Sequence, residues 1–412
     1  MTYINDRTTE TEASAVPRPN ARRADRRTTH GSRGAPILAF CLIVSVGAPA
    51  LLDARPRMTN TVLDTISSDQ ASFRLVRAVE GLDEPWSFAF LPDGDVLVTE
   101  RRGTLWRVGP QSTDEVTGTP RVVASGQGGL LDIALHPAFA SNRLVYLSFS
   151  DRYQGGLGTA VARARLDGAA LQDMEVIFRM NRSTSGGRHF GSRLIFGTDG
   201  MLYITIGDRG TPNRSQDRED HAGTVIRIAA DGSIPEDNPF VGRSDAAPEV
   251  YSYGHRNAQG IALHPETGEI WLHEHGPQGG DEINIVAAGN NYGWPVITYG
   301  VNYGSGTPIG EGTSRPGMEQ PVLHWSPSIA PSGMAFYSGN SFPEWRGDIF
   351  VGALRGQHLR RLELDGDEVV GQELLLLGTV GRIRDVRQGP DGSLYLITDE
   401  SDGGLYRLEP AR

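Results

Sequence analysis

The chain has 412 residues, a net charge of −11 and a single cysteine, Cys41. The negative charge argues against a nucleic acid or an anionic membrane surface as a partner. Because Cys41 lies in a distinctive N-terminal segment, the remainder of the chain can form neither a disulfide nor a zinc–cysteine site. Fifty-two glycines predict frequent tight turns.

Residues 1–52 differ from the rest in composition. They contain seven arginines and four acidic residues, and they end in the apolar run Ala35–Leu52. A basic region, an apolar core and the small residues Ala48–Pro49–Ala50 are typical of a secretory signal. We therefore expect export to the periplasm or the cell exterior. Retention of residues 35–52 as a membrane anchor is the alternative, because the run approaches the length of a membrane span. Residues 53–71 are polar and are predicted to be an irregular linker.

One strand pattern recurs six times between residues 72 and 412. An apolar strand, a turn of the Pro–Asp–Gly kind and two further strands make up each copy. The first strands are expected at Trp86–Phe90, Leu130–Leu135, Arg193–Phe196, Gly260–Leu263, Gly333–Tyr337 and Ile383–Arg387. Additional strands fit between copies, at Arg121–Ala124, Glu175–Met180, Pro321–Trp325 and Gln372–Leu377.

Six copies of a four-stranded unit without helical periodicity predict an all-β fold, a six-bladed β-propeller of four-stranded antiparallel blades. We expect Ser72–Val79 to pair with the sixth copy, because that blade would otherwise expose an unpaired edge.

The stretch Tyr253–Tyr292 concentrates charged side chains around two short apolar runs. Its segment His275–Gly280 is too rich in glycine to continue a strand, and Asp281 and Glu282 follow directly. Exposed carbonyls next to carboxylates suit a hard cation such as calcium. A solvated surface loop is the alternative interpretation.

His189 lies between glycines, in Gly186–Gly191, just before the first strand of the third copy. A histidine with so little steric cover can approach a ligand, and neutral histidine is the usual general base near pH 7. An exposed loop histidine is the alternative. For His221 and His255 the sequence indicates no partner.

Several polar residues occupy matching positions before or after the core strands of different copies. They are Gln127, Arg256, Asn257, Arg355, Arg382 and Arg384. In a propeller such positions converge near the axis, and arginines that point at one pocket favour a small polyanionic ligand. A structural ion pair is the alternative for each arginine alone. A further acidic set could bind a second calcium, although turn capping is the preferred interpretation: Asp208, Asp217, Asp220 and Asp237.

Ordered motifs from about Leu75 to Leu408 resemble one known family. The chain resembles the soluble quinoprotein sugar dehydrogenases, specifically the aldose sugar dehydrogenase branch of the glucose/sorbosone dehydrogenase family. The motifs are GQGGLLDIALHP (126–137), NRLVYLSFS (142–150), GRHFGSRLIF (187–196), GHRNAQGIALHP (254–265), EHGPQGGDEINI (274–285), NNYGWP (290–295) and GRIRDV (381–386).

The resemblance implies bound pyrroloquinoline quinone (PQQ) and calcium. It makes His189 the catalytic base and Arg256 the arginine beside the quinone, with further cofactor contacts from Gln127, Asn257, Tyr303, Arg382 and Arg384. The carbonyls of Gly276 and Pro277 would ligate the calcium of the cofactor, and Glu282 and Tyr292 would form a further calcium site. Arg355 stands where the resemblance leads us to expect a lysine near the quinone.

The implied reaction is oxidation of an aldose at C1 to a lactone, in which His189 removes the hydroxyl proton while hydride passes to PQQ. A separate cytochrome or quinone would then accept the electrons. Two other functions remain open on the sequence: a calcium-dependent propeller hydrolase or lactonase that uses Glu282 and the aspartate set, and a non-enzymatic binding propeller.

Overall fold

In the computed structural model, which describes residues 55–411, the chain is almost entirely β-structure. The predicted leader, residues 1–52, lies outside the described residues. None of the described helices is long and apolar enough to cross a membrane. Those helices are α1 (Phe139–Asn142) and the 3-10 turns Pro212–Gln216 and Pro343–Trp345.

Short strands follow one another along the whole described chain. The first half contains β1 (Arg57–Ser67), β2 (Ser72–Leu82), β3 (Pro85–Phe90), β4 (Val96–Glu100), β5 (Leu105–Val108), β6 (Thr113–Glu115), β7 (Leu130–Leu135), β8 (Leu144–Tyr153), β9 (Gly156–Asp167), β10 (Ala170–Arg179), β11 (Leu194–Phe196), β12 (Leu202–Ile206), β13 (Thr224–Ile228) and β14 (Val250–Tyr253). The second half contains β15 (Ala258–Leu263), β16 (Ile270–Glu274), β17 (Asp281–Val286), β18 (Leu323–Trp325), β19 (Pro331–Phe336), β20 (Ile349–Ala353), β21 (His358–Asp365), β22 (Glu368–Leu375), β23 (Ile383–Gln388), β24 (Leu394–Thr398) and β25 (Gly403–Pro410).

These strands form six antiparallel sheets, which are the blades of a six-bladed β-propeller. Blades one to five are β3–β6, β7–β10, β11–β14, β15–β18 and β19–β22, and blade six has the order β1-β2-β25-β24-β23. The first strands of neighbouring blades contact one another, for example β3 with β7 and β19 with β23, so they line the axis. The predicted fold class is confirmed.

The predicted ring closure is also confirmed, because β2 pairs with β25 and places Leu75 opposite Leu408. The prediction of an irregular linker over residues 53–71 was wrong for Arg57–Ser67, which form β1 and pair with β2. β1 is exposed on most of its length and therefore lacks the apolar alternation by which a strand is recognised.

The predicted extra strand at Arg121–Ala124 was wrong as well. The outer strand of blade one is β6, which follows β5 after a four-residue turn. Residues 121–124 instead run beside blade two, where the amide of Val123 donates to the carbonyl of Ser150 over 3.1 Å. The outer strand of blade three, β14, carried no recognised signal because a long loop separates it from β13.

Apolar clusters fill the spaces between neighbouring blades. The largest packs blade five against blade six, and its centre holds Phe73, Tyr337, Trp345 and Phe350. Edge-to-face contacts join these rings, with Phe73 and Trp345 centroids 5.8 Å apart. Phe73 and Leu75 of β2 are fully buried in this cluster, so the closing strand contributes to the core as well as to pairing.

Shortening the closing strand's buried side chain should destabilise the ring. Leu75→Ala leaves a cavity in the cluster between blades five and six, and we expect it to lower the free energy of unfolding by about 2–5 kcal/mol. Val62→Ala, in the neighbouring strand β1 where Val62 is 49% exposed, is the matched control and should change it by less than about 0.5 kcal/mol. Urea unfolding measures both; equal effects would contradict the closure described here.

Candidate active site

A cavity of about 380 Å³ opens at one end of the propeller axis. Its walls come from the residues that precede or begin the first strands and from those that follow the second strands. Because both positions lie at the same end of each antiparallel blade, segments of all six blades meet there. The lining side chains include Glu84, Trp86, Arg101, Gln127, Phe190, Asn257, Gln259, His275, Arg382, Arg384 and Asp399.

The cavity brings together four of the predicted cofactor contacts: Gln127, Asn257, Arg382 and Arg384. Asp399 pairs with both arginines, at 2.9 Å in each case. Burial alone would raise the pKa of Asp399, but the two arginines lower it overall, so the carboxylate stays ionised. Two guanidinium groups against one carboxylate leave a net positive wall. The Arg384 Nε atom is buried and has no hydrogen-bond partner among residues 55–411.

His189 lies beside this cavity, next to residues that line it. Its backbone amide donates to the Oε1 atom of Gln127 over 2.6 Å, and the adjacent Phe190 lines the cavity. Its Nδ1 atom lies 2.6 Å from the Oδ1 atom of Asp208. Because an ionised carboxylate can only accept, this contact places the proton on Nδ1 and leaves Nε2 as the free base.

Both members of this pair have shifted pKa values. Burial lowers the pKa of His189, and the positive charges of Arg256 and Arg188 lower it further, although Asp208 opposes the shift. Burial would raise the pKa of Asp208, but the hydrogen bond and the charge interaction with His189 lower it overall. At neutral pH the pair is therefore a neutral imidazole on an ionised carboxylate, which is the state of a general base.

Trp294 connects Asp208 to Arg256. Its Nε1–H donates to the second carboxylate oxygen of Asp208 over 2.9 Å, and the Arg256 guanidinium lies over its ring, 5.3 Å from the centroid. The same guanidinium donates to the carbonyls of His275 and Gly276, the latter over 2.6 Å. Arg256 and His189 are thus fixed relative to one another through one aspartate and one tryptophan.

Arg256 also lines a much smaller void of about 10 Å³ next to the main cavity. The void is about large enough for one small ion or one water. Oxygen-bearing residues surround it, among them Glu274, Glu282, Tyr292 and Thr298. Glu274 and Glu282 are directly opposed on β16 and β17. Burial and the negative charge of Glu274 raise the pKa of Glu282 well above its usual range.

Two directly opposed carboxylates that repel each other beside an ion-sized void fit a bound cation. Within residues 55–411, no group of three histidine, cysteine, aspartate or glutamate side chains could hold a metal ion. A cation here would therefore depend on carbonyl oxygens as well, which calcium accepts readily. Gly276 and Pro277 are both buried at the edge of this region, and the Gly276 carbonyl accepts from Arg256.

The hydrogen bonds of Asp281 do not indicate a cation site. Asp281 accepts hydrogen bonds from the amides of Gly276, Ile329 and Ala330 and from the Ser328 hydroxyl, so its role is to hold two loops together.

The structure does not place Arg355 and Tyr303 at the cavity. Both are exposed, Tyr303 by 67%, and neither lines the cavity or the void. They lie on loops, where residue spacing does not determine direction. Their assignment as cofactor contacts stays a prediction.

The remaining acidic residues and histidines have other partners. Asp217 pairs with Arg182, Asp220 with Arg214, and Asp237 with Arg227. These pairs favour the structural interpretation of the acidic set, with Asp208 as its exception. Two histidines without a predicted partner also have one: His221 lies 2.9 Å from Glu249, and His255 lies 2.9 Å from Glu274.

Sequence reasoning missed Asp399, Trp86 and the pair Glu84–Arg101 as cavity residues, and it did not assign Asp208 to His189. Asp208, Asp399 and Arg101 share one signal, since each follows the second strand of its blade within two residues. That position faces the same end of the axis as His189 and could have identified them.

Comparison with known proteins yields consistent matches over most of the chain. The family model described as glucose/sorbosone dehydrogenase matches residues 82–407. The aldose sugar dehydrogenase YliI of Escherichia coli is 45% identical over 336 residues, which cover 80% of this chain and 91% of that protein. A crystal structure of a glucose dehydrogenase is 48% identical with a TM-score of 0.80, over 82% of this chain and 99% of that chain. The PQQ-bound aldose sugar dehydrogenase of Streptomyces coelicolor is 32% identical with a TM-score of 0.68, over 86% and 98%.

The His189–Asp208 contact predicts how the histidine titrates. We expect His189 to titrate below the usual value near 6.5, because burial disfavours its charged form. Asp208→Asn should lower the pKa further, since it removes the negative charge that stabilises the imidazolium. Titration of the His189 ring resonances by NMR measures both. Asp217→Asn, on the surface pair with Arg182, should leave the His189 pKa unchanged; a rise in the Asp208 variant would contradict the contact.

Proposed function

The chain belongs to the glucose/sorbosone dehydrogenase family, as its motifs predicted, and we propose that it oxidises aldose sugars at C1 to lactones with bound PQQ and calcium. The observation that carries the proposal is the His189–Asp208 pair beside a net cationic cavity on the propeller axis. The pair supplies a general base, and the cavity supplies a site for an anionic cofactor.

The residues that line the cavity fit PQQ. The cofactor carries three carboxylates, and guanidinium groups bind carboxylates in a bidentate manner. Arg382 and Arg384 would hold these groups, and the Arg384 Nε atom, buried without a partner among the described residues, has a donor available. The amides of Gln127 and Asn257 would contribute further hydrogen bonds. When bound, PQQ supplies the two-electron acceptor for the oxidation.

Calcium fits the opposed carboxylates of Glu274 and Glu282. A divalent cation would remove the repulsion that raises the pKa of Glu282. In the proposal Glu282 and the Tyr292 backbone bind one calcium, and the Gly276 and Pro277 carbonyls bind the calcium of the cofactor. Calcium there would increase the positive potential that Arg256 already provides.

The residues of the chain itself contribute to the proposed reaction by accepting a proton from the substrate. The neutral His189 accepts the proton of the anomeric hydroxyl at Nε2, while Asp208 accepts a hydrogen bond from Nδ1–H and stabilises the imidazolium that results. Burial of the pair keeps competing water away from it. Arg256, held by the carbonyls of His275 and Gly276 and by the Trp294 ring, adds a fixed positive charge where negative charge develops.

The partners and the location follow from this proposal. The substrate is an aldose, and the reduced cofactor requires a separate electron acceptor, a cytochrome or a quinone. Export to the periplasm or cell exterior is proposed from residues 1–52. A calcium-dependent hydrolase has less support, because its aspartates are engaged by arginines. A pure binding module leaves the His189–Asp208 pair without a purpose.

Replacement of the base tests the mechanism. His189→Ala should retain PQQ binding but lower turnover by roughly 10²–10⁴-fold, the usual contribution of general base catalysis. Dye reduction with a panel of aldoses, in the presence of PQQ and calcium, measures turnover, and PQQ absorbance after gel filtration measures binding. His264→Ala, in the turn between β15 and β16, is the control. Full activity of the His189 variant would refute the assignment.

Calcium binding should appear in stability as well as in activity. Without calcium, Glu282→Gln should unfold at a higher temperature than the wild type, because it removes the repulsion from Glu274. With calcium at 100 times its dissociation constant, the free energy of unfolding of the wild type should rise by about 2.7 kcal/mol. That of the variant should rise little. Thermal unfolding measures both effects, with the exposed Glu344→Gln as control. Equal calcium stabilisation of both variants would place the ion elsewhere.

A further inference from the structure

Arg209, the residue after Asp208, is a buried cation in an unusual position. It is 2% exposed, and it forms no salt bridge within the described chain. Its guanidinium donates instead to two backbone carbonyls, those of Gly186 (2.8 Å) and Arg188. It also lies on the Phe190 ring, with 3.5 Å between the guanidinium carbon and the ring centroid.

All these contacts converge on the loop that carries His189. Gln127 binds two further backbone groups of this loop, and its backbone amide donates to the Gly187 carbonyl over 2.7 Å. The Gln127 side chain accepts from the His189 amide over 2.6 Å. Successive backbone groups of the loop are thus bound alternately by Arg209 and Gln127.

The backbone of this region adopts conformations that need such support. His189 and Arg209 have φ values of 55° and 57°, in the left-handed region that residues with a side chain rarely adopt. Conformations of this kind persist only where the surroundings enforce them, and they concentrate at functional sites. The space behind the loop is also closed, because a Cβ added at Gly207 would lie 2.1 Å from the His189 carbonyl oxygen.

Stability does not by itself account for a cation here. An unpaired buried charge is costly, and an apolar side chain of similar length would fill the same space more cheaply. Burial lowers the pKa of Arg209 to about 10, so the group remains charged at neutral pH. Its guanidinium donates hydrogen bonds to the carbonyls of Gly186 and Arg188, the residues that precede Gly187 and His189.

We propose that Arg209 is a positioning residue that fixes the loop of residues 186–190, so that the His189 imidazole meets Asp208 and faces the substrate. The assignment rests on the function proposed above. Asp208 sets the orientation of the ring, and Arg209 sets the backbone from which the ring projects. Two adjacent residues, Asp208 and Arg209, therefore control the ring orientation and the backbone position of His189.

Arg209→Met tests this role, because methionine keeps an apolar side chain of similar length and loses both donor bonds. The matched control is Arg188→Met, which removes an exposed guanidinium from the same loop. In the reconstituted wild type and variants we expect Arg209→Met to lower kcat by roughly tenfold or more, with KM and PQQ retention near the wild-type values. Arg209→Lys, which keeps the charge and one donor, should recover part of the loss.

The pH profile distinguishes positioning from a general loss of structure. Burial is the main cause of the low His189 pKa, and Arg256 and Arg188 add to it while Asp208 opposes it. A loosened loop exposes the ring, so the acid limb of kcat/KM should move up towards 6.5. The Asp208→Asn variant should move it down.

Amide hydrogen exchange makes the test independent of turnover. Residues 186–190 should exchange faster in Arg209→Met than in the wild type, with the rest of the blades unchanged, and Arg188→Met should leave them protected. Faster exchange in a chain whose wild type shows no turnover would support the loop role and refute the proposed function. Normal exchange and normal kcat in Arg209→Met would overturn the proposal. If that variant does not fold, Arg209→Lys with wild-type kcat and exchange would overturn it equally.

Discussion

Buried ion pairs at the propeller axis are the constraint on which the site depends. Arg193, at the start of β11, is almost fully buried and lies 2.9 Å from Asp385 of β23. It also donates to the carbonyls of Gln259 and Arg384. Charges this deep are stable only when paired, and removing one partner of such a pair costs about 3–5 kcal/mol. Since these bonds join blades three, four and six, they fix the floor beneath the cavity and the direction of the lining residues above it.

Above this floor the protein uses carboxylates in three different environments. Asp399 is shared by two arginines and leaves their excess positive charge facing the cavity. Asp208 has His189 on one oxygen and Trp294 on the other, which holds the His189 imidazole in one tautomer. Glu274 and Glu282 lie directly opposite each other on neighbouring strands. In the proposed function the same functional group would therefore attract an anion, orient a base or bind a metal, according to its neighbours.

The sequence predicted the repeat well because β-strands of a propeller are buried on both faces and separated by glycine-rich turns. Leu130–Leu135 and Leu394–Thr398 carry that signal directly. Exposed strands do not: β1 is polar, and β6 has only three residues, so the pattern missed them. At the candidate site, the motifs indicated Gln127, His189 and Arg384, whose positions follow from the strand that each precedes or begins. Tyr303 and Arg355 lie on loops and depend on side-chain direction, which spacing does not determine. The role of Arg209 depends on carbonyls 21 and 23 residues away, and no local pattern reports such a contact.

The most direct measurement is aldose-dependent dye reduction by the purified full chain in four mixtures: with no addition, with PQQ, with calcium and with both. We expect turnover only when PQQ and calcium are present together, and PQQ absorbance that remains with the protein through gel filtration. Turnover without PQQ, or a mixture of both that neither retains PQQ nor oxidises any aldose, would contradict this expectation.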